Sequence, residues 1–76
     1  MDDQEQVALR GTLRRAERDM AYGSHAIDNY GELHALTSEE VDLDEYVGRE
    51  IGVMGFLIEG HAQPRYVNVT AVDTGD

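Results

Sequence analysis

Apolar and polar residues alternate along several short stretches of the chain, which is the pattern of half-buried β-strands. The first stretch covers residues 7–14, where the odd positions are apolar residues or glycine and the even positions are mostly polar. Gly11 lies in its middle, and a glycine inside a strand indicates a bend or bulge such as a barrel corner requires. Similar patterns predict four further strands, at residues 24–28, 32–36, 51–58 and 66–72.

Turn-forming residues separate these predicted strands. Residues 28–31 read Asp-Asn-Tyr-Gly and predict a hairpin turn, because Asp and Asn tolerate positive φ and Gly follows them. In the strand that returns from this turn, we expect Leu33 and either Ala35 or Leu36 to face inward. Residues 60–65 contain the single proline and predict the loop of the last hairpin.

Residues 41–48 differ from the strands and predict a short helix. Asp42 with Glu45 has the spacing of a capping box, and Gly48 suits the left-handed position that ends a helix. So short a helix is not stable alone. We therefore expect its apolar residues to plug the open end of a barrel; they are Val41, Leu43, Tyr46 and Val47.

The predicted order is three strands, a short helix and two strands, which is typical of an OB-fold. We therefore predict an all-β protein: a five-stranded OB-fold-like barrel, with one short helix between strands 3 and 4. A chain of 76 residues without cysteine cannot rely on disulfides, and a closed sheet without edges is one way to stabilise it. The prediction is one domain over residues 1–76, with 1–5 and 74–76 disordered.

Several segments also resemble a known pattern. They are Gly-Thr-Leu at 11–13, Ala-Leu-Thr-Ser at 35–38, VDLDEYVGREIGVMG at 41–55 and Val-Asn-Val-Thr at 67–70. Together they are similar to small bacterial OB-fold-like proteins of unknown function, over most of residues 7–72. The resemblance implies the fold and no catalytic residue. The sequence departs from the family pattern in strand 51–58. The outward positions of this strand are commonly polar in the family, but in this chain they are Gly52, Met54 and Phe56.

The chain is strongly acidic, with a net charge of −10 from sixteen acidic and six basic residues, all six of them Arg. The negative electrostatic potential of such a chain repels phosphate backbones and anionic membranes. Two origins remain open: adaptation to a salt-rich cytoplasm, or a GC-rich genome that favours Arg codons. The first six residues are acidic and polar, unlike a signal peptide, and no apolar stretch is long enough to span a bilayer. We predict a cytoplasmic protein without membrane contact.

The outer face of strand 51–58 is the first candidate site. If Ile51, Val53, Gly55 and Leu57 face inward, large apolar side chains face outward, and such patches usually have a use. These candidates are Met54, Phe56 and Ile58, with Tyr66 on the adjacent strand. Three interpretations remain: the connection at 14–21 or the N-terminus covers them, they contact another protein or a second copy in a homodimer, or they stack on a base or sugar.

The second candidate is the usual ligand-binding face of an OB-fold, which suggests single-stranded nucleic acid or a small polar ligand. Its residues here are Arg10, Arg14, Tyr30 and His34. Arg suits phosphate through its planar fork. The alternative for the Arg cluster, which includes Arg15 and Arg18, is that it neutralises acidic neighbours through weak ion pairs.

Catalytic and metal chemistry have little support in the sequence. His25, His34 and His61 match no local metal-binding motif, and we predict no metal and no cofactor. Ser24 and Ser38 lack a sequence context that would activate them, and no nucleophile elbow or phosphate loop occurs. We predict a non-enzymatic interaction domain that contacts protein, or itself, through the outer face of strand 51–58, with an OB-fold ligand-binding domain as the alternative.

Overall fold

The computed structural model describes residues 5–17, 22–58 and 65–75. These segments contain five strands and one short 3₁₀ turn. They are β1 (Gln6–Arg15), β2 (His25–Asn29), β3 (Glu32–Thr37), the 3₁₀ turn (Leu43–Tyr46), β4 (Glu50–Ile58) and β5 (Arg65–Asp73). All five predicted strands are present, each within two residues of its predicted bounds.

The strands close into a barrel in the order β1-β2-β3-β5-β4, with β4 pairing back onto β1. All neighbours are antiparallel except β3 and β5, which run parallel. Each strand therefore has a partner on both sides, and the barrel has no free edge. This is the predicted all-β, five-stranded, OB-fold-like barrel.

Strand β1 takes part in two ladders and changes partner along its length. Residues 6–12 pair with β4, and residues 12–15 pair with β2. Gly11 lies at this change of partner, where a Cβ atom would overlap the carbonyl oxygen of Asp28 and lie 2.8 Å from its carbonyl carbon. The absence of a side chain lets the two backbones approach at the position where the sequence predicted a bend or bulge.

The core fills the inside of the barrel. The largest fully buried side chains come from all five strands and are Leu13, Ile27, Leu36, Ile51, Val53, Val67 and Val69. Leu9 and Leu43 complete this cluster, and Leu57 packs against it. The alternation predicted for β4, with Ile51, Val53, Gly55 and Leu57 inward, matches this packing.

The predicted helix is a single 3₁₀ turn of four residues. The Asp42 carboxylate caps it by accepting from the Asp44 N–H at 3.2 Å, and Gly48 ends the segment at φ 89°. Leu43 is buried in the core, so the turn does plug the barrel. The prediction that Val47 also plugs it is wrong, because Val47 is 38% exposed.

The β2–β3 hairpin has a two-residue turn of type I′. Asn29 pairs with Glu32, so Tyr30 and Gly31 form the turn, with φ 51° and 85°. The turn therefore lies within the predicted residues 28–31. The positive φ falls on Tyr30 and Gly31 rather than on Asp28 or Asn29, because those two residues extend β2. The Asp28 carboxylate accepts from the Gly31 N–H at 3.0 Å.

The register of this hairpin decides which residues of β3 face the core. His34 pairs with Ile27, and paired residues share a face of the sheet, so His34 points inward. Leu33 pairs with Asp28 on the other face and is only half-buried. The expectation that Leu33 faces inward is wrong, and Leu36 fills the core position.

Several predicted features lie outside the described residues. They are the connection at 18–21, the loop at 59–64 and the chain ends at 1–4 and 76. Glu5, at the border of the expected disordered lead-in, is described, and its carbonyl accepts from the Leu57 N–H at 2.8 Å. Within the described segments, no helix is long and apolar enough to cross a membrane.

Candidate interaction surface

Tyr30 is the most exposed large side chain with apolar character in the described part of the chain, at 92% exposure. It occupies the first position of the type I′ turn, where Asn, Asp or Gly is strongly preferred because φ is positive. A bulky residue with positive φ is uncommon and costs conformational energy. The turn therefore tolerates a residue that neither local geometry nor core packing explains.

Met54 is the exposed apolar residue at the centre of β4. It pairs with Ala8 on β1 and with Ala71 on β5, so small side chains flank it on both sides. Its side chain remains 39% exposed in the barrel wall. The outward position predicted for Met54 is confirmed.

Tyr30 and Met54 meet at one concavity of about 270 Å³ between the hairpin tip and the β1–β4 ladder. Small residues on the two strands give it depth, and polar residues border it. Its lining is Ala8, Leu9, Arg10, Asn29, Tyr30, Gly52, Val53, Met54 and Asp73. Two of the three exposed large apolar residues in the described segments therefore border the same depression, the third being Val47.

A second concavity, of about 440 Å³, opens where β1 leaves β2 and pairs with β4. Near this opening, the Arg10 N–H donates to the side-chain oxygen of Asn29, at 3.1 Å, rather than to a backbone carbonyl of β2. The lining residues are Arg10, Gly11, Thr12, Arg14, Asp28, Tyr30, Gly31 and Glu50. Arg10 and Tyr30 border both concavities, and we call the two together the Tyr30–Met54 surface.

The charges on this surface are unevenly compensated. Arg10 pairs with Glu50 at 3.6 Å, and Arg14 pairs with Glu17 at 3.8 Å. Asp28 and Asp73 take part in no ion pair between described residues; each accepts from a backbone N–H two or three residues on. The surface therefore combines an apolar centre with two carboxylates that form no ion pair with those residues, while Arg10, which borders both concavities, is paired with Glu50.

The other residues of the first candidate site are more covered than predicted. Phe56, Ile58 and Tyr66 are half-buried. Phe56 lies between Gln6 and Asn68 in the ladders, whereas Ile58 pairs with Tyr66. These residues extend the apolar face along β4, but Met54 is the only one of its candidate residues that is exposed.

Tyr66 is partly covered from outside the barrel. The Tyr22 ring lies 4.9 Å from the Tyr66 ring, centroid to centroid, at an interplanar angle of 43°. Tyr22 lies in the β1–β2 connection and directly follows residues 14–21, the segment that one interpretation expected to fold over this face. The tilted pair reduces the area of Tyr66 that a base or sugar could stack upon.

His34 does not join the other residues of the second candidate site. It is buried inside the barrel at 7% exposure, and its Nδ1 donates to the Glu32 carbonyl oxygen at 3.3 Å. The structure thus brings together Arg10, Arg14 and Tyr30 but not His34. The physical reason is the Ile27–His34 pairing, which places His34 on the inward face.

A separate polar cluster joins the 3₁₀ turn to the barrel. The Nε2 atom of His25 donates to the Asp44 carboxylate at 2.8 Å, because a carboxylate can only accept. Nδ1 of a neutral His25 ring then accepts from the Ser24 hydroxyl, also at 2.8 Å. Arg15 adds an ion pair to Asp44 at 3.4 Å. Sequence reasoning missed this cluster; the adjacent Ser24 and His25 were its only local signal, since Asp44 lies nineteen residues on.

The order Ser24–His25–Asp44 has the side-chain types of a hydrolytic triad, but among the described residues the Ser24 N–H, one possible oxyanion donor, is already engaged. A triad needs free backbone or side-chain donors for the oxyanion that develops. The Ser24 N–H already donates to the Leu36 carbonyl oxygen at 3.0 Å. Ser24 also borders neither of the two concavities. We interpret the cluster as a group of hydrogen bonds and an ion pair that holds the 3₁₀ turn against β1 and β2.

The Ser24–His25–Asp44 cluster leads to one pH-dependent prediction. The hydrogen bond from His25, helped by Arg15, holds the pKa of Asp44 below its ordinary value of 3.8, against a smaller opposing effect of desolvation. A carboxylate with a lowered folded-state pKa contributes stability above its unfolded pKa and loses it as pH falls through the folded value. Asp44→Asn should therefore lower the denaturation midpoint at pH 7. The difference from the wild type should shrink once pH falls below about 3.8 and vanish below the lowered pKa of folded Asp44.

Glu45→Gln is the matched control, because Glu45 is exposed in the same turn and makes no ion pair with a described residue. Urea titrations of the three proteins at several pH values measure the effect. An Asp44→Asn deficit of equal size at pH 3 and pH 7 would contradict the role given to the carboxylate charge.

No group of three or more His, Cys, Asp or Glu side chains in the described segments is arranged to hold a metal ion. His25 and His34 are both buried and hydrogen-bonded, and His61 lies in the undescribed loop.

The comparisons with known proteins do not assign a family. Searches against protein-family models, curated proteins and solved structures give no significant match. The resemblance noted from the sequence motifs therefore stays a prediction, and the functional interpretation depends on the geometry of the Tyr30–Met54 surface.

Proposed function

We propose that this chain is a non-enzymatic interaction domain that binds a protein partner through the Tyr30–Met54 surface and the adjoining outer face of β4. One observation carries the proposal: the fully exposed Tyr30 and the exposed Met54 border the same concavity, although one is in a hairpin turn and the other in a strand. The barrel closure brings them together, and core packing requires neither of them to be apolar.

The residue types also favour a protein contact. Tyr, Met and Arg are enriched at protein interfaces, and Tyr and Arg are common among the residues that dominate binding energy. Arg10 lies between the two concavities, so all three types occur within one small area. A rigid aromatic at a hairpin tip loses little conformational freedom on binding.

A second candidate function, an OB-fold ligand-binding domain, is favoured by the 440 Å³ concavity that unites Arg10, Arg14 and Tyr30. The negative charge in and around this concavity disfavours a nucleic-acid ligand. Both arginines already face carboxylates, Asp28 and Glu50 line the same space, and the whole chain carries −10. Single-stranded nucleic acid needs a basic groove with several stacking platforms, and this groove offers one tyrosine.

Site-specific photo-crosslinking tests the protein-binding proposal and does not require the partner to be identified in advance. A photoreactive phenylalanine analogue is placed at Tyr30, at Met54 or, as a control, at the exposed Glu39. We expect discrete protein adducts from the first two positions and none from Glu39. The Tyr30 adduct should also disappear when Met54→Asp is added, because a charge at the concavity disfavours an apolar contact.

Each outcome of this experiment has a defined meaning. Mass spectrometry separates a heterologous partner from a second copy of the chain, and either supports a protein contact. Adducts of equal yield from all three positions, or a Tyr30 adduct unaffected by Met54→Asp, would contradict the proposal.

A further inference from the structure

We infer that the partner contacts this surface with a basic segment: an apolar anchor flanked by Arg or Lys side chains. The inference rests on the proposed protein-binding function and adds the chemical class of the partner. It depends on where the uncompensated carboxylates lie relative to Tyr30.

Asp28 and Asp73 line different concavities beside the exposed ring. Asp28 lines the larger concavity and Asp73 the smaller one, whereas Tyr30 borders both. Each carboxylate is exposed, and neither belongs to an ion pair between described residues. An apolar side chain bound beside Tyr30 and Met54 would therefore have a carboxylate within reach of the residues before and after it.

The carboxylates are also held in place. The Asp28 side chain accepts from the Gly31 N–H at 3.0 Å, and the Asp73 side chain accepts from the Gly75 N–H at 2.9 Å. Each hydrogen bond occupies one oxygen of one carboxylate, and the other lone pairs remain for a guanidinium or ammonium donor. Pre-positioned charges lose less entropy on pairing than freely rotating ones.

The net charge of the chain adds a long-range contribution. A charge of −10 on 76 residues attracts a basic segment and raises its association rate at low ionic strength. The same field acts against a second copy as the occupant. In a two-fold symmetric dimer the same patch faces itself, so Asp28 and Asp73 would meet like charges in a contact between two chains of −10. A polyphosphate backbone is repelled in the same way.

Two labelled peptides of equal length test this inference. One has two arginines on each side of a central leucine, and the other has glutamates in place of the arginines. Fluorescence anisotropy follows their binding at low ionic strength and at about 1 M salt, where the screening length is only ~3 Å. We expect the arginine peptide to bind at low salt and the glutamate peptide not to bind.

The decisive variant is Asp28→Asn with Asp73→Asn, which removes two charges but keeps both oxygen acceptors for the backbone N–H groups. Glu39→Gln with Glu40→Gln is the matched control, since it removes two exposed charges elsewhere. We expect the first pair to weaken binding of the arginine peptide about tenfold and the second about twofold or less. Circular dichroism confirms that both variants are folded.

The outcomes separate the inference from the proposed function. Equal losses in the two double variants would show attraction by net charge alone and overturn the inference. Binding of both peptides with equal affinity would overturn it too, while leaving a protein contact intact if Met54→Asp abolishes that binding. Tyr30→Asn without effect on either peptide would contradict the proposed function itself.

Discussion

Gly55→Ala is expected to destabilise the barrel more than any other single-methyl addition in β4. A Cβ atom at this buried position would overlap the carbonyl oxygen of Asn68 and lie 2.8 Å and 2.9 Å from the Asn68 carbonyl carbon and Val69 Cα. These are backbone atoms of β5, which cannot move aside without breaking the ladder. Over-packing at such a site costs about 3 kcal/mol, against a total stability of roughly 4–11 kcal/mol for a chain of this length.

The irregular pairing of β4 and β5 explains why the two backbones approach here. Met54 pairs with Ala71 and Gly55 with Val69, so the register shifts between them as in a β-bulge. The Thr70 hydroxyl donates to the Met54 carbonyl oxygen at 3.3 Å across this irregularity. The glycine therefore permits the curvature that closes the barrel.

Gly52→Ala is the matched control, because it adds the same methyl group to the same strand. The nearest atom to its new Cβ is the terminal nitrogen of Arg10, at 3.3 Å, which belongs to a flexible side chain. We expect Gly52→Ala to change stability by less than about 1 kcal/mol. Urea denaturation followed by circular dichroism measures both variants. Equal effects of the two substitutions would show that the β4–β5 approach at Gly55 is not as close as described.

Tyr30→Asn should separate binding from folding. Asn suits a type I′ turn with positive φ, so the variant should be as stable as the wild type or more stable by about 0.5 kcal/mol. Tyr30 is 92% exposed, so its ring adds little to folding. If the ring is a main anchor of the interface, its loss should weaken binding by about 30-fold or more, the range of hot-spot residues.

Anisotropy with the arginine peptide measures the binding, and urea denaturation measures the stability. Val47→Asn is the comparison variant, because Val47 is also surface-exposed, at 38%, but lies outside both concavities. It should leave binding unchanged. A Tyr30→Asn protein that is markedly destabilised would show that the ring supports the fold rather than a contact.

Local sequence patterns were sufficient for the elements of this fold. Alternation identified the strands, the glycine within β1 marked its change of partner, and Asp42 and Gly48 delimited the plug between β3 and β4. These signals succeed because strand period, capping and tight turns depend on residues close in sequence. The predicted short helix is present as a 3₁₀ turn of four residues.

Predictions that depended on register failed or were incomplete. The inward position of His34 follows from a two-residue turn at Tyr30–Gly31, and a loop longer or shorter by one residue would reverse the faces of the returning strand. The proximity of Tyr30 to Met54 was not predictable either. The sequence placed them in two different candidate sites, and only pairing of β1 with both β2 and β4 brings them to one concavity.

The Ser24–His25–Asp44 cluster was missed for a related reason. His25 lies at the start of β2 and Asp44 within the 3₁₀ turn, and the closed barrel brings these elements together. No spacing rule signals such a contact between elements.

Chemical-shift mapping tests the central proposal, the Tyr30–Met54 surface, most directly. Two-dimensional ¹H–¹⁵N spectra are recorded while the arginine peptide is added to the ¹⁵N-labelled chain at low ionic strength. We expect the largest shifts at Arg10, Tyr30, Gly52, Met54 and Asp73, with little change in the 3₁₀ turn. Shifts spread evenly over exposed acidic residues, or concentrated at Asp42, Asp44 and Glu45, would contradict the proposal.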